Sequence, residues 1–214
     1  MKFLCFPHYT AGGLLCDIFE NKFSQIGPHG GIVSLNHQLG KIGDSDSIFV
    51  DFDIQKFNLL LSTYRDTDTT VGTHCWPGNM CIPTDVEVIL ITTETTKSKI
   101  YRWLRAWHLY FSKTDIVKEL SGIDLLDKQR ELAKNYIKPF SVVPNASNLE
   151  FADIVETTAE FFNVIKNLPI EQHMIRWKEI NHFLYDPSLW NNELVQRYYE
   201  AEFEITHGRY YQYN

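Results

Sequence analysis

Short apolar runs that give way at once to a stretch of helical spacing recur along this chain, and that alternation constrains the fold more than any single motif. Residues 2–6 form the first run, which stops at Pro7. The next apolar positions, Leu14, Leu15, Ile18, Phe19 and Phe23, fall at intervals that a helix brings to one face, so a helix is expected over 13–23. Residues 47–52 repeat the pattern, with Asp53 placed as the N-cap of a helix running through Leu61. Residues 86–92, β-branched and preceded by Pro83 and Asp85, make the most strand-like run. A long helix with Ile100, Trp103, Leu104, Trp107 and Phe111 on one face follows it. Residues 148–151 give a last short strand, after which Asp153 is placed to cap a helix carrying Ile154, Val155, Thr158, Phe161, Phe162 and Ile165 on one side. Further strands are expected at 31–35 and 69–71, and further helices over 114–120 and 125–137, the second with Asp124 as cap and Pro139 as its end. Strands that alternate with helices pair in parallel. The expected architecture is therefore α/β and three-layered, with a central, mostly parallel sheet flanked by helices.

A chain of 214 residues with 44% hydrophobic content can bury a full core without disulfides or metals, and it shows no repeat or linker, so residues 1–214 are read as a single domain. The longest apolar candidate, residues 86–91, contains Glu87 and falls far short of the ~20 residues that span a bilayer. The start, MKFLCF, reads as a buried strand rather than a secretory signal, because its apolar run ends at Pro7 and no cleavage site follows. Cys5, Cys16, Cys75 and Cys81 suit reduced thiols and a cytoplasmic location. A formal charge of −7 argues against nonspecific nucleic-acid binding, which needs a basic surface. The polar aromatic tail GRYYQYN is read as outside the core.

The candidate chemistry lies first in the opening turn, Pro7, His8, Tyr9, Thr10, Ala11, Gly12 and Gly13, because a loop between a parallel strand and the next helix lies at the carboxyl edge of the sheet. Its glycines let backbone amides approach an anion, the helix start adds partial positive charge, and Thr10 offers a hydroxyl. It lacks the GK[ST] ending of a Walker A loop, and a simple tight turn is the competing reading. Gly72-Thr73-His74-Cys75-Trp76-Pro77 puts His74 at another strand end, as a general base or as a histidine bonded to backbone. His74, Cys75 and Cys81 lack the paired spacing of a zinc site, so no metal is expected. Lys97, Lys99, Arg102 and Arg105 form either a phosphate contact or the solvated face of a helix.

In order and spacing these features resemble the sulfotransferases that use 3′-phosphoadenosine 5′-phosphosulfate. Phe6-Pro7-His8-Tyr9-Thr10-Ala11-Gly12-Gly13-Leu14 is similar to that family's first loop, YPKSGTTWL, and Gly72-Thr73-His74-Cys75-Trp76-Pro77 to its KTHLP, whose histidine is the catalytic base. Residues 86–93 and the helix after them occupy the place of the family's 3′-phosphate-binding strand and helix. Asn148-Leu149-Glu150-Phe151-Ala152-Asp153-Ile154-Val155 resembles the later segment in which an apolar strand runs into a helix. The resemblance implies a P-loop NTPase-like, sulfotransferase-like fold and transfer of a sulfuryl group from the nucleotide donor to a hydroxyl on a small molecule or carbohydrate. His74 and His8 would be catalytic, and Pro7 to Gly13, Thr93, Ser98 and Arg102 would hold the donor. This chain departs from the family at the loop lysine, here His8, and at the arginine after the apolar strand, here Thr93. A binding protein on the same fold, or another transferase such as a glycosyltransferase, stays open beside that reading. Trp76, Trp103, Trp107, Trp177 and Trp190 suit either sugar stacking or packing.

Overall fold

The computed structural model describes residues 1–7, 9–21, 54–74, 77, 80–110, 146–191, 193 and 196, without the side chains of 103, 106–110, 189 and 190. His8, Phe23, the strands expected at 31–35 and 47–52, Asp53, Cys75, Trp76, Phe111, the helices over 114–120 and 125–137 with Asp124 and Pro139, and the GRYYQYN tail all lie outside the described residues.

Strand β1 (Lys2–Cys5) leads into helix α1 (Gly12–Phe19), and helix α2 (Ile54–Tyr64) precedes β2 (Thr70–Thr73). Strand β3 (Glu87–Thr92) leads into α3 (Thr96–Tyr110), and β4 (Ala146–Glu150) runs directly into α4 (Phe151–Glu156). Helices α5 (Ala159–Ile165) and α6 (Glu171–Ile180), a 3-10 turn (His182–Tyr185) and α7 (Pro187–Trp190) follow. Among the described residues the strands form a four-stranded sheet in the order β2-β1-β3-β4, and every pairing there is parallel, so the alternation in the sequence gives the α/β arrangement it predicts.

Because side chains alternate across a strand, β1 and β3 each feed two cores. Phe3, Cys5, Val71, Val88 and Leu90 pack on one face against Phe57 and Leu60 of α2, with the rings of Phe3 and Phe57 5.7 Å apart. Leu4, Ile89, Ile91 and Leu149 pack on the other face against α1, α3, α4, α5 and α6. Each fully buried Leu, Ile or Phe here contributes about 1.5–3 kcal/mol of transfer free energy. Since β1 pairs with β2 on one side and β3 on the other, the strand order reverses at β1. In such sheets the carboxyl end of the strands at a reversal of this kind is the usual ligand position.

Two helices differ from the sequence expectation. Helix α1 stops at Phe19, four residues short of Phe23, because Glu20 closes the last turn onto Cys16 and Ile18 and Asn21 turns left-handed at φ 48°. The helix expected from Asp153 to Ile165 begins at Phe151 and is two helices, with Asp153 inside the first turn rather than capping it. Thr157 adopts φ 55°, which ends α4, and the Thr158 hydroxyl accepts from the Phe161 amide at 3.5 Å to start α5. The break turns Phe162 outward to 48% exposure while Phe161 and Ile165 stay buried. Cys5 and Cys16 are buried thiols, and Cys81 is exposed. Among the described residues no helix is long and apolar enough to cross a membrane.

Candidate functional site

At the end of β1 the ladder continues for one more residue, as the Phe6 amide donates to the Thr73 carbonyl at 3.0 Å. The chain then turns sharply. Tyr9 and Ala11 take φ values of 70° and 62°, a left-handed conformation that costs a non-glycine residue about 1–2 kcal/mol each. Thr10, buried between them, donates its hydroxyl to the Pro7 carbonyl at 2.7 Å, which closes the turn on itself. Ala11 is the N-cap of α1 and offers no side-chain oxygen, so this helix starts without a side-chain cap. The first amides of α1, at Gly12 and Gly13, thus lie at the carboxyl edge of the sheet, at the positive end of the helix dipole. Glycine at position 12 has a steric cause, because a methyl group built there would overlap the Phe6 ring.

His74, the residue after β2, is 6% exposed and sits against this loop. The register that sets Cys5 opposite Thr73, carried on by one residue, sets Phe6 opposite His74. The His74 Nδ1 lies 2.8 Å from the Phe6 carbonyl oxygen. A carbonyl can only accept, so Nδ1 carries the proton and the lone pair of the neutral ring is on Nε2. The Phe6 ring meets the imidazole edge-on, with centroids 4.6 Å apart at 74°. Phe6 therefore fixes both the tautomer and the plane of His74.

The next edge, between β3 and α3, is arranged differently. Thr95 caps α3, its hydroxyl accepting from the Ser98 amide at 3.1 Å. Glu150, the last residue of β4, reaches across to the same point. Its carboxylate accepts from the Thr95 amide at 2.8 Å, the Thr95 hydroxyl at 3.0 Å and the Thr92 hydroxyl. Burial, and then the charge of Glu150, raise the neighbouring Glu94 carboxyl above its ordinary range. Thr93 is buried behind this edge, and Ser98 is 0% exposed with its hydroxyl accepting from the Ala152 amide at 2.7 Å.

The basic cluster of α3 is not one solvated face, because Arg105 is buried. Lys97 pairs with Glu156, which also accepts from the Tyr101 hydroxyl at 2.9 Å. Burial and that bond push the Tyr101 phenol well above its usual range. Arg105 lies in the interior, bonded through Nε to Asn181 Oδ1 at 3.0 Å and stacked 4.5 Å from the Trp177 ring centre, and burial lowers its guanidinium to about 10. Trp177 is buried beneath it and bonded to the Tyr185 hydroxyl, so its role is packing and not sugar stacking. Arg102 is half-buried on α3.

Of the residues singled out from sequence, the structure brings Pro7, Tyr9, Thr10, Ala11, Gly12 and Gly13 together with His74 through Phe6. Thr93, Ser98 and Arg102 belong to the β3–α3 edge, and His8 lies outside the described residues. Phe6 and Glu150 were not marked as functional by the sequence. Phe6 acts through a main-chain carbonyl, which leaves no side-chain signal, whereas the Thr95-Thr96-Lys97-Ser98 cap could have pointed to the helix start that Glu150 closes. Among the described residues no group of three or more His, Cys, Asp or Glu side chains could hold a metal ion. Comparison of the chain with protein-family models, curated proteins and solved structures finds no match.

Proposed function

We propose that this protein binds the phosphate end of a nucleotide phosphosulfate at the β1–α1 edge and transfers its sulfuryl group to an acceptor hydroxyl, with His74 as general base. The observation that carries the reading is the bond between His74 Nδ1 and the Phe6 carbonyl, which ties a histidine to the same turn that opens into the uncapped start of α1. A base and a set of anion-binding amides then stand at the ends of two adjacent strands, β2 and β1. In the reaction the acceptor oxygen attacks sulfur while its proton passes to His74 Nε2, and the bond from sulfur to the bridging oxygen breaks with its electron pair leaving on the nucleotide phosphate. The α1 amides stabilise the charge that develops on that oxygen. The donor implied by the resemblance is 3′-phosphoadenosine 5′-phosphosulfate, and the acceptor is a small molecule or carbohydrate.

Transfer of labelled sulfate to a panel of hydroxyl acceptors tests this. His74→Ala should lower turnover by about 10²–10⁴-fold while nucleotide binding persists, since the base acts in the chemical step. Undiminished turnover in His74→Ala would leave His74 a structural histidine and sink the mechanism. A second reading, binding without transfer, is favoured by one observation: among the described loop residues no side chain is cationic. It predicts the same nucleotide binding with no turnover in any variant.

A further inference from the structure

We draw no further inference here: the strongest candidate, the carboxylate cluster of Glu94, Glu150 and Asp153 at the carboxyl ends of β3 and β4, carries nothing, because Glu150 is already engaged by Thr92 and Thr95 and no second observation among the described residues points to a ligand there.

Discussion

Phe6 joins the two halves of the candidate site through three contacts of one residue. Its amide extends the β1–β2 ladder, its carbonyl orients His74, and its ring fills the space that a side chain at position 12 would need. Gly12→Ala should therefore act on His74 at a distance. The added methyl must push the Phe6 ring, and we expect a loss of about 1–3 kcal/mol in urea unfolding, the usual range for overpacking. The His74 imidazole resonances should shift in the same variant, and unchanged stability with unchanged resonances would show that Phe6 moves aside freely. His173 supplies a second residue-level prediction. Burial lowers its pKa below 6.5, with the charge of Asp17 opposing and that of Arg176 assisting. The unfolded chain then binds the extra proton first as pH falls, so stability drops on acidification from 6.5 down to the lower folded pKa and levels off below it. Urea midpoints measured across that window should show the drop, and His173→Gln should flatten this part of the profile. His74 was legible in the sequence because it stands at the end of a β-rich run before a turn. Its partner was not, because a main-chain carbonyl leaves no mark on residue type.

Among the elements, α3 and α4 share, beside the contacts of Tyr101 and Lys97 with Glu156, a buried hydrogen bond that hydrophobic spacing could not reveal. The Ser98 hydroxyl accepts from the Ala152 amide, and both residues are buried. Ser98→Ala leaves that amide without its partner and should cost about 1–3 kcal/mol by chemical denaturation. A change under about 0.5 kcal/mol, as at ordinary surface sites, would mean that the amide finds another partner. The run from Ile154 to Ile165 keeps an apolar period, so it read as one helix. It breaks because Thr157 turns left-handed and Thr158 captures the Phe161 amide, and neither threonine advertises that conformation. Asp153 looked like a cap for the same reason that many aspartates do, yet β4 passes into α4 without an intervening loop, and the helix has already begun at Phe151.

For the whole molecule, the alternation of runs and helical spacing carried the parallel sheet, since each crossover must bury both faces of its strands. The order β2-β1-β3-β4 was not legible, because strand pairing joins residues such as Leu90 and Asn148 that share no local pattern. That order matters most for function. It sets β1 between β2 and β3, and so brings His74 to one side of the first loop and the Glu150-closed helix start to the other. The interior position of Arg105 was equally hidden, because its period fits a solvated face, and only the packing of α3 on α6 and its C-terminal Asn181 shows where the guanidinium goes. The proposed function requires that the uncapped start of α1 bind a nucleotide phosphate beside His74. A titration of the ¹⁵N-labelled chain with adenosine 5′-monophosphate tests it most directly. Binding there should give saturable shifts of the Gly12 and Gly13 amides together with the His74 imidazole. Amide and imidazole signals that stay unmoved at about millimolar nucleotide, or shifts confined to other parts of the chain, would contradict it.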